Sequence, residues 1–267
     1  MTGSKPADII GKVYLVGAGP GDPELLTQKA ARLLRTAQVV LHDSLVGREV
    51  LAQISSTAEI IDVGKRAGQK LLTQDEINAL LVSYAKNYHT VVRLKGGDPG
   101  IFGRAGEEID ALRRANVPFE IVPGITAATA AAAAAKISLT DRRVASQVLL
   151  TTFSRGTDGA VMDWGCLTST TTLALYMPGP DYAEVSARLL VGGLPGDLPC
   201  AVISAASSAT EKIRWSTISR LAAEEKLPAP ALLIVGRVAT QHTQEITQRA
   251  WTALDEFTPA SGTTRII

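Results

Sequence analysis

Cysteine is scarce in this chain. Only Cys166 and Cys200 occur among 267 residues, too few and too isolated for a disulfide framework or a structural zinc site, so both read as packing residues. Histidine is nearly as sparse, and His42, His89 and His242 show no metal-ligand spacing. No charge of one sign dominates, because 27 basic and 26 acidic side chains leave a formal net charge of +1. A global field for nucleic acid or an anionic membrane is therefore excluded, and any charge selectivity has to be local. Long apolar runs are missing too. The longest uncharged stretch of small residues, 125–135, is too short to span a bilayer, and the opening MTGSKPADII has no apolar signal core. These absences predict a soluble cytoplasmic protein with no metal, no nucleic-acid partner and no membrane partner. There is also no repeat of fixed period.

What is present is a core-forming composition, 46% hydrophobic, and a rhythm. The apolar runs VYLV, QVVLH, EIIDV, TVVRL and FEIVP alternate with helical patterns over 23–35, 73–86, 104–115 and 126–136. That alternation predicts an α/β fold with a mostly parallel sheet. The second helix opens on Thr73-Gln74-Asp75-Glu76, which has capping-box spacing. After SQVLLTT the texture changes. Strand candidates TTLALYM, CAVISAA, KIRWST and ALLIVG follow with shorter or irregular links, which predicts a second domain. The expected division is 1–145 and 146–267.

Three glycine turns follow predicted strands. The first, VGAGPGDP, begins like a dinucleotide-binding loop, but Asp22 stands where that loop requires its third glycine. Asp22 followed by Pro23 reads as a helix N-cap with proline at the first helical position, and a pyrophosphate there would meet a like charge. Asp43, about twenty residues on, still matches the position of a ribose-binding acid, so an NAD-dependent oxidoreductase stays open on the residues alone. The second turn, RLKGGDPGIFGR, repeats Gly-Asp-Pro. There Gly96 and Gly97 allow close backbone approach, while Asp98 either caps a helix or accepts donors from a ligand. Both turns also read as plain tight turns. The third, VPGITAATAAAAAA, opens a helix whose alanines read as tight packing, with Thr126 and Ala127 at its start offering unpaired N–H groups. Beside the turns stand Lys65 and Arg66, Arg104 and Glu107, and Arg142 and Arg143. Each reads singly as a surface charge, and together they suit a polyanionic small molecule.

The ordered set VYLVGAGPGDPELLT, VGKRAG, VRLKGGDPGIFGR, VPGITAA and ALYM resembles the tetrapyrrole methylases over about residues 12–240. The resemblance implies two α/β domains with S-adenosylmethionine in the cleft between them, commonly as a homodimer. It places Pro20, Gly96, Gly97, Asp98, Ile101, Thr126, Ala127, Met177 and Ala206 at that co-substrate. It implies proton transfer for Asp43 and Lys65, and substrate binding or deprotonation for Arg104, Glu107 and Arg142. The implied acceptor is uroporphyrinogen III, methylated at C2 and C7 through precorrin-1 to precorrin-2, on the way to sirohaem, cobalamin or haem d1. A later precorrin is the alternative acceptor, and a catalytically silent tetrapyrrole carrier is a third reading. Either Asp43 or Glu107 can accept the ring proton.

Overall fold

The computed structural model describes residues 10–64, 72–153 and 164–240. Among the described residues ten strands form two five-stranded sheets. The first sheet contains β1 (Lys12–Gly17), β2 (Val39–His42), β3 (Glu59–Asp62), β4 (Thr90–Lys95) and β5 (Phe119–Val122). All pairings are parallel, in the order β3-β2-β4-β1-β5. Its central strands read as near-continuous Val and Leu because helices cover both faces. Val92 and Leu94 of β4 pack with α1 (Gln28–Thr36) and α2 (Arg48–Leu51), while Val91 packs with α3 (Gln74–Asn87) and α4 (Ala105–Arg114). Strand alternation puts Arg93 and Lys95 on the face of Val91, under α4.

Thr73 caps α3 with both halves of the capping box formed. The helix expected over 23–35 is instead two pieces. Asp22 Oδ1 accepts the Glu24 N–H at 2.8 Å and caps a single 3-10 turn, Pro23–Leu25. Leu26 is then extended, and Thr27 caps α1 by accepting the Ala30 N–H at 3.2 Å. Two capping side chains five residues apart each stop the backbone from continuing in one helix.

The second sheet contains β6 (Gln147–Thr152), β7 (Thr171–Tyr176), β8 (Pro199–Ser204), β9 (Lys212–Thr217) and β10 (Ala231–Val235), in the order β6-β7-β10-β8-β9. Only β6 and β7 run parallel; the other three pairings are antiparallel. One face packs on α6 (Tyr182–Val191) and α7 (Ile218–Leu221) through residues such as Leu173, Val202, Leu233, Val185 and Ile218. The other face is covered by α5 (Ala127–Ala134), although that helix follows the first sheet in the chain. Ala128, Ala131 and Ala132 lie against Ala174, Ala201, Ile203 and Ile234. Side chains this short let helix and sheet close up, the tight packing expected of that alanine run. Among the described residues no helix is long and apolar enough to cross a membrane.

Candidate active site

The three glycine turns leave the carboxyl edge of the parallel sheet, after β1, β4 and β5, and are packed backbone to backbone. Gly19 and Gly97 exchange N–H···O=C bonds of 3.1 and 2.9 Å. A Cβ built on Gly124 would lie 2.3 Å from the Gly97 carbonyl oxygen, and one on Gly17 would lie 2.6 Å from Gly124 Cα. Only hydrogen fits where the turns cross. Asp98 completes the lacing: Oδ1 accepts the Gly100 N–H at 2.8 Å and Oδ2 accepts the Gly124 N–H at 3.0 Å. Asp98 therefore caps no helix, α4 beginning only at Ala105, and its carboxylate is spent on loop backbone. On the outer side, a Cβ on Gly96 would sit 3.1 Å from Leu45 Cβ, so the loop after β2 closes over the second turn.

From the second sheet, Tyr176 reaches the head of α5. Its Oη accepts the Ala128 N–H at 3.1 Å and shares a hydrogen bond of 2.6 Å with Thr126 Oγ1. One of the helix's unpaired first-turn donors is thereby satisfied across the two sheets. Phe102 of the second turn lies against the Tyr176 ring, centroids 4.8 Å apart. Five non-glycine residues around this edge hold left-handed backbone: Phe102 (φ 51°), Arg104 (φ 56°), Met177 (φ 48°), Ala205 (φ 49°) and Ser207 (φ 64°). Each costs on the order of 1 kcal/mol, and most of the described non-glycine residues with positive φ gather at this edge. A cavity of about 790 Å³ opens there between Leu45 and the second sheet, walled by Phe153, Met177, Pro178, Leu227 and Pro230. It is apolar and has the size of a small-molecule site, about 300–1,000 Å³.

Charge is arranged in two groups. In the core, Arg93 and Lys95 are 2% exposed and Glu108 of α4 is 0% exposed. Glu108 Oε1 accepts from Arg93 Nε at 2.9 Å and from Lys95 Nζ at 2.8 Å. Arg93 Nη1 donates to the Leu94 carbonyl at 3.3 Å, and Nη2 pairs with Asp43 Oδ1. Two cations and two carboxylates thus neutralise one another. Burial pushes the Lys95 amine below its ordinary value, and the neighbouring Arg93 charge adds to that. At the surface, Arg104 at the head of α4 forks onto Glu107, with Nε–Oε1 and Nη2–Oε2 both 2.7 Å. Arg143 pairs with Asp141 at 2.6 Å, and that hydrogen bond holds the Asp141 carboxyl at about 2. Arg142 is exposed and has no hydrogen bond or ion pair among the described residues.

Residues 12–222 match the family model for Tetrapyrrole (Corrin/Porphyrin) Methylases. The chain belongs to the tetrapyrrole methylases. It is 48% identical over 235 residues to a uroporphyrinogen-III C-methyltransferase of Paracoccus denitrificans, covering 86% of this chain and 82% of that protein. It is 46% identical over 242 residues to siroheme synthase 1 of Klebsiella pneumoniae, covering 90% of this chain. The chain spans about half the length of the siroheme synthases it matches. The crystal structure of a uroporphyrin-III C-methyl transferase from Thermus thermophilus complexed with S-adenyl homocysteine superposes with a TM-score of 0.75. That match has 39% identity and covers 85% of this chain and 98% of the other.

For a tetrapyrrole methylase, the residues singled out by resemblance fall into two places. Gly96, Gly97, Asp98 and Ile101 lie in the second turn, Pro20 in the first and Thr126 and Ala127 at the head of α5. Met177 and Ala206 follow β7 and β8. Asp43 stands apart from Arg104 and Glu107, bound to Arg93 and not to them. Lys65 and Arg66 lie outside the described residues. Sequence reasoning missed Tyr176, Arg93, Lys95 and Glu108. A signal existed for three of these: Arg93 and Lys95 interrupt an apolar central strand, and Glu108 falls on the inward stripe of α4 with Ala105 and Leu112.

Proposed function

We propose that this chain methylates uroporphyrinogen III at C2 and C7, through precorrin-1, to give precorrin-2, with S-adenosylmethionine as methyl donor. The observation carrying this reading is the apolar cavity between Leu45 and Met177, whose wall residue Leu45 follows Asp43 by two positions and packs on Gly96 of the second glycine turn. An adenosyl group and a methionyl chain suit such a site: the cavity wall is apolar, and the glycine turns bring backbone donors and acceptors close. Bound there, S-adenosylmethionine supplies an electrophilic methyl group on a positively charged sulfur.

The protein's work is then positioning and proton transfer. Pro20, Gly96, Gly97, Ile101, Thr126, Ala127, Met177 and Ala206 shape the co-substrate site, with Asp98 holding the turns that present it. A substituted pyrrole carbon attacks the methyl group, a C–C bond forms as the C–S bond breaks, and because that carbon is then quaternary the balancing proton leaves from another position of the macrocycle. We assign the proton to Asp43, which lies two residues before the cavity-wall residue Leu45; Arg93 holds its carboxylate, as Arg104 holds that of Glu107. Arg104, Arg142 and Lys65 are assigned to the carboxylate arms of the tetrapyrrole, which guanidinium groups grip bidentately. In this reading residues 1–145 carry the turns, residues 146–267 complete the cleft, and the enzyme works as a cytoplasmic homodimer, as the family resemblance implies.

The test is to incubate the pure chain with methyl-labelled S-adenosylmethionine and enzymatically generated uroporphyrinogen III. Two labelled methyl groups per acceptor are expected. A chain that binds S-adenosylhomocysteine yet transfers no label to this acceptor has a different substrate.

A further inference from the structure

We infer that Arg93 is a positioning residue for methyl transfer: clamped from behind by Glu108, it holds the Asp43 carboxylate in the loop after β2, whose Leu45 walls the cavity. The inference rests on the reading of Asp43 as proton acceptor. β4 runs between β2 and β1, the place in a parallel sheet where apolar side chains build the strand without penalty. Burying an arginine, a lysine and a glutamate there is costly, and apolar residues of similar volume commonly serve stability as well or better. What the buried charges secure is geometry. The guanidinium plane is fixed at Nε by Glu108 and at Nη1 by the Leu94 carbonyl, which leaves Nη2 aimed at Asp43. Lys95 donates to the same Glu108 oxygen, which opposes rotation of the carboxylate away from Arg93. Asp43 itself lies one residue beyond β2, in the loop whose Leu45 walls the cavity. A chain of contacts therefore runs from α4 through β4 to the loop after β2 and ends on the group assigned to the proton. A lysine at position 93 would keep the charge but lose the rigid fork that spans Glu108 and Asp43.

A double-mutant comparison tests this in the full chain, with turnover of uroporphyrinogen III and calorimetric affinity for S-adenosylhomocysteine as readouts. Arg93→Lys is expected to lower kcat about tenfold or more, because small misplacements of a reacting group are that expensive. Affinity for S-adenosylhomocysteine should stay within about twofold. In the Asp43→Asn background the same change should lower kcat by less than about twofold, since nothing is left to position. An unchanged kcat in Arg93→Lys overturns the inference. Equal fold losses in both backgrounds, with Asp43→Asn itself impaired, also overturn it and leave Arg93 a structural role. An Asp43→Asn chain that turns over like the parent overturns the reading of Asp43 instead. Should Arg93→Lys fail to fold, Arg93→Met, which leaves the Lys95–Glu108 pair intact, carries the same comparison.

Discussion

Tyr176 and Ala128 are joined by a hydrogen bond of 3.1 Å that runs from the second sheet to the first turn of the helix leaving the third glycine turn. Tyr176 is 8% exposed and its hydroxyl also meets Thr126 Oγ1 at 2.6 Å, so one side chain of the second sheet fixes the head of α5.

Tyr176→Phe keeps the ring contact with Phe102 and deletes both hydrogen bonds. Leaving a buried N–H without its partner should cost about 1–3 kcal/mol, read as a lower midpoint in urea. Affinity for S-adenosylhomocysteine should fall with it, because Thr126 loses its anchor. An unchanged midpoint would show that water replaces the phenol.

Gly124→Ala tests the crossing of the turns. Its Cβ would fall 2.3 Å from the Gly97 carbonyl oxygen, a backbone atom that cannot swing aside. A loss of about 3 kcal/mol is expected. Gly106→Ala is the control: nothing lies within 4 Å of its Cβ and it sits inside α4, so stability should rise by about 0.5–1 kcal/mol.

Arg104→Ala separates substrate from co-substrate. The Arg104–Glu107 pair is exposed at 60% and 49%, so its loss should change stability by less than about 1 kcal/mol. Turnover of uroporphyrinogen III should drop with little change in S-adenosylhomocysteine affinity. Loss of co-substrate binding would move Arg104 to the other side of the cleft.

Glu120 makes stability depend on acid. Its carboxyl is held down from 4.5 to about 2, first by the Lys12 hydrogen bond of 2.7 Å and then by Lys29. A carboxylate depressed in the folded state adds stability above its unfolded value, and that stability is lost as pH falls from 4.5 towards 2. The difference in thermal midpoint between the parent and Glu120→Gln should therefore close across that window. It should shrink at high salt, because the pair is exposed to solvent.

Among the described residues the central strands lie on apolar runs, because both their faces are covered, whereas the edge strand β9 (Lys212–Thr217) shows only alternation. The capping box at Thr73 and the tight packing of the alanine run were legible for the same reason: each is a local property. The split of the segment 23–35 was harder to see, since Asp22 and Thr27 are both competent caps and only the fold decides that each is used. At the site, the glycine turns were visible but their use was not. Gly17, Gly97 and Gly124 meet across three separate loops, and no window along the chain contains that meeting. Asp43 carries no mark of its dependence on Arg93, fifty residues away, and Tyr176 reads as one more apolar strand residue until α5 is seen lying beneath it.

The placement of α5 ties assembly to ligand binding. The helix grows out of the last parallel strand yet spends its alanine face on the antiparallel layer, so the parallel sheet and its laced turns alone leave that face of α5 uncovered. The cleft is complete only where both layers meet, and a ligand bound there should hold them together as much as it fills the space between them.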